Sequence, residues 1–198
     1  MEFEHEFDVS APPDRVYAYL LDVNSVALCM PGAELSDQVY GDTYRGRVRI
    51  KVGAITVGYE GTATITGRDP DRRTATLSFD AKERTGGGSA RATAAMTVEP
   101  TESGSRVRLT TEVAVAGRVA TFGRSILEDV SRRLVTQMAD CIRHNLERED
   151  AEAGDAESAT AGAGSPRAPR GEAISLFRIL GAVLRDRVRR LFRRPSAG

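Results

Sequence analysis

A chain of 198 residues with 40% apolar side chains has material for one ordinary domain and an appendage. Its 28 basic and 28 acidic side chains cancel overall, yet residues 1–150 carry 19 against 23 and residues 170–198 carry 8 arginines against 2 acids, so body and tail differ electrically. No basic patch with interleaved aromatics points the body to nucleic acid, no run reaches the roughly 18 apolar residues of a membrane span, and two histidines leave a His-based metal site or a Ser-His-Asp triad little to work with.

At the start, Phe3, His5, Phe7 and Val9 alternate with Glu2, Glu4, Glu6 and Asp8, the period of a strand with one buried side. The acidic opening lacks the basic start and apolar run of a signal peptide. Two prolines end the strand, and Ser10 or Asp14 is placed to cap a short helix through Val16, Tyr17, Leu20 and Leu21. A second helical piece, around Val23 to Leu28, stops at Met30-Pro31-Gly32.

From Ala33 to Ala116 the chain reads as about six strands in a meander, with turns at Gly41, Gly53, Pro70, Gly86-Gly87-Gly88 and Gly104. With the first strand this makes an antiparallel sheet of about seven strands, buried on one face. Ala90, Ala92, Ala94, Met96 and Val98 share one face of a single strand. Three alanines in succession leave volume that an opposing helix must fill or leave open.

Gly117 to Glu147 reads as the long helix that covers the sheet, with Phe122, Ile126, Val130, Leu134, Met138 and Ile142 as its apolar stripe. The next segment, 148–171, is rich in Ala, Gly, Ser and Pro without hydrophobic period and reads as a disordered linker. Residues 172–198 recover helical order. Ile174, Phe177, Leu180, Leu184, Val188, Leu191 and Phe192 form one face, and Arg185, Arg189 and Arg193 belong to the basic side, a pattern suited to an anionic membrane interface. A partner protein with an acidic groove is the second reading of that tail.

Cys29 and Cys141 have neither the number nor the spacing of a disulfide framework or zinc site, which fits a reducing compartment with Cys29 as an inert buried thiol. No nucleophile elbow, zinc-protease or Walker sequence occurs. His5 on an inward strand face reads as a satisfied core residue, and His144 as a residue near a helix C-terminus.

The order of elements is that of the helix-grip fold of START-like lipid carriers, an α+β architecture with a curved sheet around a long final helix. More narrowly, Met30-Pro31-Gly32-Ala33, Arg49-Ile50-Lys51-Val52-Gly53-Ala54-Ile55 with Tyr59-Glu60-Gly61, the glycines Gly86 and Gly88, and Val115 to Arg124 together resemble the CoxG family of carbon monoxide dehydrogenase proteins over residues 1–147. The resemblance implies a noncatalytic accessory of a molybdenum hydroxylase, tethered to the inner face of the cytoplasmic membrane by its C-terminal extension and carrying a quinone, menaquinone or ubiquinone. A carrier of that kind needs a dry apolar slot with a few polar groups at the head. Tyr59, Phe79, Ala92, Ala94, Met96, Phe122, Ile126 and Val130 are the candidate wall, and Met30, Pro31, Gly32, Gly117 and Gly123 the candidate rim. The alternatives are a small polyketide cyclase or aromatase, which would need His5, Tyr59 or Arg91 clustered around a substrate, and a solid scaffold with a membrane-binding tail.

Overall fold

The alternating N-terminus forms strand β1, Glu2–Val9, burying Phe3, Phe7 and Val9 and leaving the acids between them in water. The structure, a computed structural model, describes residues 1–161, with side chains through Glu149. Helix α1, Pro13–Leu21, starts on proline, whose fixed φ and missing N–H suit the first helical turn. Neither Ser10 nor Asp14 caps it. The N-cap is Pro12, with no side-chain bond, and Asp14 instead meets Arg73 at 2.5 Å. Helix α2, Val23–Cys29, is capped by Asp22, whose carboxylate accepts from the Asn24 amide at 3.1 Å.

Six strands follow: β2 Ala33–Tyr40, β3 Thr43–Val52, β4 Ile55–Asp69, β5 Thr74–Glu83, β6 Ser89–Thr101 and β7 Gly104–Ala116. All pair antiparallel in the order β1-β7-β6-β5-β4-β3-β2, so the meander runs β2 to β7 and β1 returns beside β7. The alternation predicts this seven-stranded antiparallel sheet, and with its covering helix it makes the α+β helix-grip arrangement that the resemblance implies.

The long helix α3 spans Arg124–Ala161 and does not begin at Gly117. Gly117 takes φ 84°, a region that penalises side chains with a Cβ. Arg118–Thr121 then make a single 3₁₀ turn, Phe122 is extended, and the Gly123 carbonyl accepts the first helical bonds from Ile126 and Leu127. At its other end α3 continues fourteen residues beyond Glu147. The first part of the expected linker is therefore helical through Ala161, because Ala and Glu are good helix formers and extending an existing helix is cheap. The remainder of the 148–171 segment and the whole basic tail lie outside the described residues.

The buried stripe of α3 departs from the expected one at its N-terminal end. Steps of four residues advance about 40° each around a helix, so Ile126 lies about 160° from Ile142 and is 38% exposed. Val130, Leu134, Met138 and Ile142 of the expected stripe are covered, and Leu127, Ser131, Val135 and Ala139 are covered with them.

Cys29 and Cys141 are joined in a disulfide across 112 residues of sequence, with Cα atoms 5.4 Å apart. The expectation of two unpaired thiols is overturned. Spacing along the chain carries no information about a meeting that only the packing of α2 against α3 brings about.

The core falls into two clusters. One gathers Phe7, Val9, Val16, Tyr17, Leu20, Met96, Val98 and Val107 around Met138, Ile142 and Leu146, with Met30 and Leu109 at its margin. The other gathers Val52, Val57, Tyr59 and Val119, with Ile50, Ala81, Ala90, Val115, Phe122, Leu127 and Val130 packed around them. In the first cluster's periphery the wholly buried Ser105 hydroxyl donates to the Ala11 carbonyl at 2.6 Å. Ser105→Ala is expected to cost about 0.5–1.5 kcal/mol in a urea titration, since the Ala11 carbonyl loses its side-chain donor.

Candidate functional site

The region of interest lies between the sheet and the N-terminal half of α3. On one flank α3 is sewn to the unpaired edge of β1. Arg124 donates to the Glu2 carbonyl at 3.0 Å, the His5 ring meets the Ser131 hydroxyl at 2.8 Å, and Arg143 donates to the Asp8 carbonyl at 2.7 Å. The two guanidinium groups also lie over the Phe3 and Phe7 rings, each 5.9 Å from the centroid.

The opposite flank is made differently. Gly53, in the β3–β4 turn at φ 57°, lies against the Phe122 ring, and a Cβ there would stand 3.1 Å from Phe122 Cε1. An aromatic edge on a glycine is a contact without hydrogen bonds, held by dispersion and burial alone. Between the flanks the apolar surface is incompletely covered. Phe79, on the same side of β5 as buried Ala75, is still 36% exposed, and its cross-strand neighbours Ala63 and Ala92 are half-buried.

One end of this region is polar. Tyr59 and Glu83 stand directly opposite each other on β4 and β5, both buried and on the inner face. Arg118, in the 3₁₀ turn, donates through Nε and Nη2 to Glu83 Oε1 and through Nη2 to the Thr85 carbonyl. Glu83 Oε2 and the Tyr59 hydroxyl are buried and have no protein partner. Burial, reinforced by the Glu83 carboxylate and opposed by Arg118, raises the Tyr59 phenol above its ordinary value, so it remains an O–H donor.

Glycines make room for this carboxylate. A Cβ at Gly88 would stand 2.5 Å from Glu83 Oε2, one at Gly86 would stand 2.8 Å from Oε1, and one at Gly117 would meet the Gly88 Cα at 2.6 Å. The Gly86-Gly87-Gly88 run is thus a turn between strands, as its position indicates, and also the wall of a carboxylate niche.

Of the expected wall, Tyr59, Phe122 and Val130 come together in one cluster, Phe79 and Ala92 lie on the half-covered strip, and Ala94 is buried. Met96 is in the other cluster, at the far end of the sheet, and Ile126 faces largely outward. Met30 packs at the margin of Met96's cluster, and Pro31 follows it in the turn. Gly32 abuts the backbone of β3, with the Arg49 amide bonded to its carbonyl at 2.9 Å. Gly117 and Gly123 flank the 3₁₀ turn. A Cβ on Gly123 would meet nothing within 4 Å.

A shallow trough of about 620 Å³ lies on the outer face of the same strands, and Phe79 and Ala92 border it as well. Thr62, Ser78, Asp80, Arg91, Thr93 and Glu112 line it, and no residue of α3 takes part. Arg91 there pairs with Asp80 at 2.7 Å.

His5 ties the site to pH. Burial, then the Arg132 charge, holds its imidazole below its ordinary value of 6.5, with Glu128 pulling the other way. The folded state therefore binds the His5 proton less readily than the unfolded chain. His5 contributes its full stability above the unfolded value, and that contribution falls as pH drops toward the depressed folded value. Unfolding midpoints measured between pH 7 and 5 are expected to decrease, with a shallower slope in His5→Gln. His144, by contrast, is exposed and lies well inside α3 rather than near its end.

Among the described residues there is no cluster of three or more metal-binding side chains, and no helix is long and apolar enough to cross a membrane. No curated protein matches the sequence. Solved structures do match the fold. A conserved protein from Geobacillus kaustophilus is 18% identical with a TM-score of 0.67, over 75% of this chain and 96% of that one. The Zhui aromatase/cyclase from Streptomyces sp. R1128 is 19% identical at 0.56, over 78% and 98%. The di-domain aromatase/cyclase BexL of the BE-7585A biosynthetic pathway is 20% identical at 0.51, over 74% of this chain and 46% of that one. At these identities the likeness is one of fold. The family model of CoxG, a carbon monoxide dehydrogenase subunit, matches residues 6–147, nearly the whole of the sheet and the covering helix as far as Glu147, and the chain belongs to that family.

Proposed function

We propose that the protein is a noncatalytic carrier that holds the head of a respiratory quinone between the sheet and the first half of α3. In this reading it couples a molybdenum hydroxylase of the carbon monoxide dehydrogenase kind to the cytoplasmic membrane. The observation that supports this best is the pair of buried, unpartnered oxygens on Tyr59 and Glu83 at one end of an otherwise apolar, half-covered strip. An aromatic head with ring oxygens meets both needs, with Phe79, Ala92 and Val130 against the ring and Tyr59 donating to an oxygen. Entry is from the Gly53–Phe122 flank, because separating that contact breaks no hydrogen bond, whereas the β1 flank holds three.

The family name supports an accessory role beside an oxidoreductase. The basic apolar tail, residues 172–198, supplies the attachment to the anionic inner face of the membrane. Purification of the full chain from a membrane-containing lysate, followed by solvent extraction and mass spectrometry, is expected to yield a stoichiometric isoprenoid quinone. Extracts without one would overturn the carrier reading. Removing residues 171–198 is expected to abolish binding to anionic vesicles and leave the extracted ligand in place, and vesicle binding that survives the truncation would overturn the tether.

The aromatase/cyclase neighbours favour a second reading as a small enzyme on the same fold. The side chains it would need are apart. Tyr59 is buried in one core cluster, His5 is bonded to Ser131 on the β1 flank, and Arg91 pairs with Asp80 on the outer face.

A further inference from the structure

Tyr59 and Glu83 differ in what they offer a ligand. The Tyr59 phenol is a donor with spare acceptor capacity, while the Glu83 carboxylate, paired with Arg118, only accepts. They face each other across the β4–β5 register, and the Tyr59 hydroxyl and Glu83 Oε2 are bonded neither to each other nor to any other protein group. Both residues are buried, Tyr59 to 5% exposure and the Glu83 side chain completely. The Tyr59 hydroxyl calls for an acceptor, and Glu83 Oε2 calls for a donor. A hydroxyl supplies both. A carbonyl takes the Tyr59 bond but brings only lone pairs toward Glu83 Oε2, leaving a buried charged acceptor unsatisfied.

We propose that Glu83 makes this site selective for the reduced, hydroxyl-bearing form of its ring-headed ligand over the oxidised, carbonyl form. This rests on the carrier reading above and goes beyond it by fixing the redox state of the cargo. Glu83 Oε2 cannot turn away from its task, because Oε1 is held by Arg118 and the niche is closed by Gly86 and Gly88. Tyr59 donates to either form and so sets affinity, whereas Glu83 sets preference. A carrier with this preference is loaded where quinol is made, at the partner enzyme.

The test uses the full chain with menadione and with menadiol that has been reduced beforehand and freed of reductant, titrated anaerobically by calorimetry. The quinol is expected to bind about 10- to 100-fold more tightly, the worth of one hydrogen bond to a buried charged acceptor. Glu83→Gln offers an amide that donates to a carbonyl, so the ratio is expected to collapse toward one or invert. Tyr59→Phe should weaken both forms by a similar factor and leave the ratio standing. Glu83→Met, which removes the acceptor and the buried charge together, serves if Glu83→Gln does not fold, and is expected to bring the ratio close to one. Equal affinities in the wild type, or a ratio unmoved by Glu83→Gln, would overturn the redox selectivity and leave the carrier reading intact. Binding of neither form would overturn the carrier reading itself.

Discussion

Replacing Cys29 and Cys141 together by alanine is expected to lower the unfolding free energy by about 2–5 kcal/mol. The bridge closes a loop of 112 residues that contains the entire meander from β2 to β7. In the chain-entropy account a loop of about 100 residues contributes close to 4.7 kcal/mol through the unfolded state, and losing α2's anchor on α3 adds a native-state part. Guanidinium titrations with and without a phosphine reductant provide the check. The wild-type midpoint should fall on reduction to near that of the double variant, while the variant's own midpoint should not respond. A wild-type midpoint indifferent to reductant would show that the two helices hold each other without the bond.

Arg118→Ala is the second large effect, expected at about 1–3 kcal/mol. Arg118 itself is half exposed, so the pair's attraction is partly screened, but Glu83 beneath it is wholly buried and would be left without a counter-charge. Adding Glu83→Gln in that background should recover most of the loss, because a neutral amide tolerates burial better than an orphaned carboxylate. A double-mutant cycle by thermal or denaturant unfolding measures this, and strictly additive losses would refute a charge pair at the root of the effect.

The strands are legible because burying one face imposes a period of two, and that period survives almost residue by residue in β1, β3 and β6. The helix phase is harder to read. A four-residue spacing looks like a stripe over two turns but rotates off the sheet over five, which is why it points to Ile126 when Leu127 is the residue that packs inward. Glu83 looks like one more charged residue in a strand, although it shares the side of Ala75, Leu77, Phe79 and Ala81 and precedes three glycines. An acid on an apolar face beside a run that can surrender its side-chain volume is the available sign. Ser131 and Cys141 carry no such sign. Their roles arise from which strand and helix happen to lie beside α3, and nothing local encodes that.

The three ties from α3 to β1 fall at residues 2, 5 and 8 of the strand and 124, 131 and 143 of the helix, so the two elements run in the same direction with their attachments spread along both. A pull applied along the axis of α3 is therefore shared by all three at once, in shear, as in a lap joint. A pull away from the sheet at one end would load them singly and in turn, as in peeling tape. Mechanical resistance in this domain is accordingly expected to depend on the direction of force far more than its thermal stability would suggest.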